Sequence, residues 1–158
     1  MAESYKWAIN HINEFRFSFR DEKISTINSL NRVSAADVVS PTTYPSFNNS
    51  AFDGFVVVAK ETKKLSKKKT KKFKILRTIA AGDDPKINIY EKNSVAEIMT
   101  GGLIPKPFDS IIPVKTVKYF PSKNNATHII INQVIEKFAY VRFAGEDYKS
   151  KDIVVKKG

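Results

Sequence analysis

Between Ser50 and Ile135 the apolar residues come in short runs, each about as long as a strand and each closed by turn-forming residues. Residues 55–59, 73–79, 93–99, 110–118 and 128–134 are such runs, separated by Gly82-Asp83-Asp84-Pro85, Gly101-Gly102 and Pro121-Ser122-Lys123-Asn124-Asn125 among others. Glycine and proline supply the dihedrals a reversal needs, and Asn and Asp bond their own backbone there. A chain punctuated this way folds mainly as sheet. Before it, Tyr5, Ala8, Ile9 and Ile12 fall at helical spacing behind Ser4, a suitable N-cap, so a helix is predicted at the start. Phe15, Phe17 and Phe19 then alternate with polar residues at the period of a strand. A second short helix is predicted around Ile24, Ile27 and Leu30. The stretch 41–50, rich in Pro, Ser, Thr and Asn, reads as an extended connector and a boundary. After it come the runs above, then Tyr140-Val141-Arg142-Phe143 and a last strand at Ile153-Val154-Val155. No repeat of solenoid period is present. The simplest arrangement is a β-rich module inserted into a smaller one built from both chain ends.

Composition removes several chemistries. The chain has 158 residues and no cysteine, which excludes disulfides, a cysteine nucleophile and thiolate-bound zinc or iron–sulfur. Its two histidines, His11 and His128, are too far apart in sequence for a histidine-rich metal motif. No apolar run is long enough to span a bilayer, and the first residues lack the apolar core of a signal peptide. The expected location is cytoplasmic, without membrane association.

The net charge of +11 is concentrated. Residues 60–74 carry nine lysines and one acid, Glu61, so the rest of the chain is close to neutral. This run reads either as a footprint for a polyanion or as a solvated hairpin loop joining strands 55–59 and 73–79, its charges guarding sheet edges. It lacks arginine and, before Phe73, any aromatic, so specific nucleic-acid recognition is not expected.

Three segments place acid or hydroxyl groups beside glycine at strand ends: Ser50-Ala51-Phe52-Asp53-Gly54, Met99-Thr100-Gly101-Gly102, and Arg142-Phe143-Ala144-Gly145-Glu146-Asp147. Glycine lets backbone N–H groups approach a ligand, and carboxylates bind hard cations, so together they suit a phosphate with magnesium. Singly, each is an ordinary turn.

Their order resembles the N-terminal half of the molybdopterin molybdenumtransferases (MoeA and the E domain of gephyrin). Ser50-Ala51-Phe52-Asp53-Gly54-Phe55-Val56 stands where that family has Ser-Ala-Met-Asp-Gly-Tyr-Ala. Ala36-Asp37-Val38-Val39-Ser40-Pro41, Ala80-Ala81-Gly82-Asp83, Ile98-Met99-Thr100-Gly101-Gly102-Leu103-Ile104-Pro105 and Val141-Arg142-Phe143-Ala144-Gly145-Glu146-Asp147 match further motifs in sequence. The resemblance implies a β-rich mixed α+β fold with an N-terminal helix and bifurcated sheets. It implies a composite linker and dimerisation domain from 1–47 and 138–158, a β-rich domain inserted at 48–137, and an α/β pterin-binding domain absent from these residues. It implies an enzyme, a transferase that takes adenylylated molybdopterin and molybdate, depends on magnesium, releases AMP, and works as a homodimer in contact with other cofactor-biosynthesis proteins. The 158 residues alone are expected to be inactive.

By motif, Asp53, Thr100 and Asp147 are the implied catalytic residues, with Asp53 and Asp147 as magnesium ligands. Thr100 with the Gly101 and Gly102 backbone would bind an anionic oxygen, and Ser50 is a further substrate-binding candidate. Glu146 is expected to anchor its corner, and Gly54, Gly101 and Gly145 to give the backbone its shape. Phe52, Phe55 and Val56 replace Met, Tyr and Ala, Lys106-Pro107 replaces Glu-Gly, Asn31 replaces a glycine, and Lys115 replaces a glutamate. A scaffold or binding module, or a polyanion-binding module acting through the lysine run, is the alternative reading.

Overall fold

The computed structural model describes residues 4–15, 19–84 and 89–158. The expected Phe15–Phe19 alternation falls largely outside them. Two compact units result, Met1–Val38 with Val155–Gly158, and Val39–Val154.

In the first unit, helix α1 (Tyr5–Glu14) begins where predicted, with Ser4 Oγ accepting from the Trp7 N–H at 3.3 Å. Trp7 stacks on His11 one turn later. The second helical pattern shortens to a 3₁₀ turn at Thr26–Asn28. Asn31 stands at φ 63°, which explains how it serves where glycine was expected, since asparagine tolerates this conformation better than most residues. Among the described residues no helix is long and apolar enough to cross a membrane.

The second unit is dominated by a six-stranded sheet. Its strands are β3 (Gly54–Val57), β4 (Lys71–Ile79), β5 (Ser94–Ile98), β6 (Ser110–Pro113), β7 (Lys118–Phe120) and β8 (His128–Ile131), in the order β6-β3-β5-β4-β8-β7. Strand β3 is buried along its whole length. The reason is that both sheet faces are covered: Phe55 and Val57 join Phe73, Val95, Ile112 and Ile129 on one side, while Val56 joins Ile79, Ala96, Ile98, Phe108 and Ile111 on the other. Alternation along the strand sends neighbouring side chains into the two clusters. A strand covered on both faces reads as a continuous apolar run, as 55–58 does.

The lysine run does not form the expected hairpin. β3 and β4 are not neighbours; β5 lies between them, antiparallel to β3 and parallel to β4. The chain leaves β3 through a 3₁₀ turn at Ala59–Thr62 and a tight turn at Ser66 and Lys69, and lysines 71, 72 and 74 belong to β4 itself. Burial of Thr62 and Leu65 pins the run against the core instead of letting it arch into solvent. Thr62 Oγ1 donates to the Ala59 carbonyl at 2.8 Å and accepts from the Ile135 N–H at 2.9 Å. Thr62→Val keeps the shape but strands that N–H in the core. It should lower stability by about 1–3 kcal/mol, seen as a lower urea midpoint, and an unchanged midpoint would show that the hydroxyl is not the latch.

The remaining strands are pairs of chain ends. β1 (Val38–Val39) pairs with β10 (Ile153–Val155), and β2 (Asn49–Ser50) runs antiparallel to β9 (Val141–Arg142). Tyr44 bridges Tyr148 between them. Among the described residues, one six-stranded and two two-stranded sheets with one N-terminal helix make the β-rich, divided-sheet architecture that was expected.

Candidate functional site

All three glycine-containing segments meet at β2. On one side β2 pairs with β9, Asn49 opposite Arg142 and Ser50 opposite Val141. On its other side it takes the loop that follows β5: Ser50 N–H donates to the Gly102 carbonyl at 3.0 Å, and Gly101 N–H donates to the Ser50 carbonyl at 2.9 Å. Ser50 is buried, and its hydroxyl donates to the Phe52 carbonyl while accepting from the Phe52 N–H. Such a side-chain turn bends the chain immediately before Asp53.

Asp53 Oδ1 then accepts from both the N–H and the hydroxyl of Thr100, each at 2.8 Å. The backbone bond first, and the hydroxyl bond second, lower the Asp53 pKa below the ordinary aspartate value, against a small opposing effect of burial. Asp53 is therefore a carboxylate at neutral pH. The described hydrogen bonds to it all fall on Oδ1, and the residue is exposed. Its contribution to stability is present above the unfolded aspartate pKa and fades as pH falls through the depressed folded value. Thr100→Val removes one of the two donors, so carboxyl-carbon NMR titration should show the Asp53 pKa rising toward its ordinary value. A pKa that stays put would mean the backbone N–H holds the charge alone.

The second carboxylate is held differently. Arg142 NH2 donates to both oxygens of Asp147, and this bond is the largest cause of a raised Arg142 pKa. Asp147 N–H donates to the Tyr44 carbonyl, and Glu146 Oε2 accepts from the Phe143 N–H at 2.9 Å, closing the corner. Gly145 permits that corner with φ 73°. The Arg142 guanidinium also lies 5.9 Å from the centre of the Tyr44 ring, which stacks on Tyr148.

A cavity of about 440 Å³ opens here, bordered by Tyr44, Phe47, Ser50, Thr100, Gly101 and Arg142 among others. Neither Asp53 nor Asp147 lines it; each grips a residue that does. The Gly101 and Gly102 N–H groups, expected to face an anion, are already used, by Ser50 and by the Met99 carbonyl at 2.8 Å, and the Ser50 hydroxyl is used by Phe52. Arg142 is the cationic group at the cavity, and the motif reading did not single it out. Its clue was an opposite charge five positions ahead across a glycine.

For magnesium the donor set is sparse. Among the described residues no cluster of three or more His, Cys, Asp or Glu is placed to hold a metal ion. Asp53 fits as one hard ligand through Oδ2; Asp147, with both oxygens on Arg142, would have to release the guanidinium first. Lys115 lies in the 3₁₀ turn Val114–Thr116, next to Val114, whose N–H donates to the Asp53 carbonyl at 3.2 Å. The charge reversal at 115 is thus one residue from the Asp53 backbone.

Residues 3–158 match the family described as MoeA N-terminal region (domain I and II). A molybdopterin molybdenumtransferase of Staphylococcus epidermidis is 28% identical over 155 residues, 98% of this chain and 36% of that protein. One of Haemophilus influenzae is 27% identical over 147 residues, 93% of this chain and 34% of that protein. The crystal structure of a molybdopterin biosynthesis moeA protein from Pyrococcus horikoshii OT3 superposes with a TM-score of 0.78 at 25% identity, covering 87% of this chain and 35% of that one. The chain thus spans about a third of the length of these relatives.

Proposed function

The chain belongs to the MoeA N-terminal region (domain I and II) family, and from that premise we propose that it is the N-terminal part of a molybdopterin molybdenumtransferase. In that reading the complete enzyme inserts molybdate into adenylylated molybdopterin, with magnesium, and releases AMP and the molybdenum cofactor. The observation that carries it is the Asp53–Thr100 pair, a carboxylate held ionised at neutral pH, whose threonine borders the same cavity of about 440 Å³ as Arg142.

Each residue has a role in this scheme. Arg142 attracts an anionic oxygen of substrate or molybdate, and Asp147 positions Arg142. Thr100 orients Asp53, whose other oxygen receives a hard cation or a polarised water. Magnesium, when bound, would supply charge neutralisation for an anionic substrate, and Asp53 would be one residue holding it. Ser50, Gly101 and Gly102 keep the loop after β5 and β2 in register. The paired ends, 1–47 and 138–158, form a composite domain around an inserted one at 48–137, in a cytoplasmic homodimer that completes each site with the partner subunit's pterin-binding domain. The 158 residues have no turnover alone.

The test is a chimera in which these residues replace the matched segment of the staphylococcal relative. It should release AMP from adenylylated molybdopterin when molybdate is supplied. A chimera that folds and binds the substrate yet releases none would overturn the reading.

A further inference from the structure

The lysine run takes no part in the site above, and its order is what gives it a use. Thr62 and Leu65 are buried and hold it down, and two backbone bonds between Ser66 and Lys69, at 3.0 and 2.9 Å, close its turn. Its ammonium groups therefore project from a fixed backbone. They border a cavity of about 590 Å³ formed by Lys60, Lys63, Lys64, Lys69 and Lys71, together with Glu61, Leu65 and Thr70.

The charge there is little compensated. Glu61, the one acid of the run, is taken up by the Tyr90 hydroxyl at 2.8 Å and by the Asn93 N–H. Lys74 pairs with Glu91 outside the cavity, and Lys72 lies 3.2 Å from the centre of the Phe120 ring. Lys71 donates to Asn93 Oδ1. Among the described residues no carboxylate lies within ion-pair distance of Lys60, Lys63, Lys64 or Lys69. Like charges gathered around a concave, partly apolar wall focus their field into it.

We propose that this cavity binds a condensed phosphate chain, such as tripolyphosphate or the triphosphate of a nucleotide. A ligand here must bring several negative charges in a small volume to meet the ammonium groups together, which a phosphate chain does and a peptide carboxylate does not. Lysine acts on phosphate as a point charge, without the planar fork that suits arginine to carboxylates and bases. The cavity lining includes no aromatic or arginine for stacking on or reading a base, so recognition stops at the phosphates.

Calorimetric titration of the 158-residue chain with tripolyphosphate, ATP and inorganic phosphate tests this. Tripolyphosphate and ATP should bind comparably and orthophosphate far more weakly, with affinity falling as salt rises. K63Q/K64Q/K69Q should weaken tripolyphosphate by about tenfold or more, while K67Q/K68Q/K123Q, which removes the same charge outside the cavity, should change it by no more than about twofold. Equal losses in the two variants would reduce the effect to diffuse charge and overturn the site. Binding of ATP with tripolyphosphate inert would overturn it too, because the nucleoside would then be the ligand. All of these positions are exposed, so folding is not at risk.

Discussion

Gly54→Ala should leave little or no folded protein. A methyl group at Gly54 would lie 2.3 Å from the Ile112 carbonyl oxygen and 3.0 Å from both the Ile112 carbonyl carbon and Ile111 Cγ2. The obstacle is backbone and cannot rotate away. It is also locked, since β6 pairs with β3 along Gly54–Pro113, Phe55–Ile112, Val56–Ile111 and Val57–Ser110. Relief would require prying β6, an edge strand, from β3, and from Ala139, whose carbonyl accepts the Ile111 N–H at 2.9 Å. Ile111 and Ile112 are fully buried in opposite clusters, so that movement would open both faces of the core at once. Overpacking in a tight interior costs about 1–3 kcal/mol even when side chains can shift, so a backbone clash here should cost at least about 3 kcal/mol. The measurement is a denaturant titration. The expected result is a much lower midpoint or failure to fold; a midpoint near that of the parent would show that β6 moves aside cheaply and that the close approach is not a constraint.

The same strand shows what the sequence reveals and what it hides. That a strand covers 55–57 follows from the β-branched and aromatic run expected at 55–59, and that α1 starts at Tyr5 follows from Ser4 and the apolar spacing, because both depend on neighbours a few residues away. The hairpin expected between β3 and β4 fails for the opposite reason. Alternation tells which side chains share a face, but nothing in residues 55–79 says that β5 will slip between the two strands, a pairing decided by chain forty residues distant. Thr62 is similar: as one polar residue among lysines it looks solvated, yet its two backbone bonds in the core set the path of the whole run. At the site, the three motif segments converge on β2. The motifs left hidden that the Gly101 and Gly102 donors are consumed within the chain, because a one-dimensional pattern records which residues are present and not whose N–H is free. Arg142 escaped for the same reason. Its spacing to Asp147 fits neither a helix nor a strand, and only the turn at Gly145 makes the pair.

In the chimeric transferase, Asp53→Ala and Asp53→Asn should both reduce turnover by about a hundredfold or more, the range expected when a preorganised charge at a reacting centre is lost. The comparison between the two variants decides what Asp53 does. Its Oδ1 is the anchor for the Thr100 N–H and hydroxyl, a task the amide oxygen of asparagine performs equally well. Asparagine cannot, however, present the negative charge that the two Thr100 bonds preserve at neutral pH, nor a second hard anionic oxygen. If Asp53 is only a latch for the loop after β5, asparagine restores the rate and alanine does not. If the charge is what the reaction uses, asparagine fails with alanine, and the loss falls on kcat more than on KM. Asp147→Asn should behave otherwise. It loosens Arg142 without removing it, so its effect should fall on KM for the anionic substrate and be repeated by Arg142→Met. Parental kcat in Asp53→Asn would take Asp53 out of the chemistry and leave it a structural bridge between β2 and Thr100.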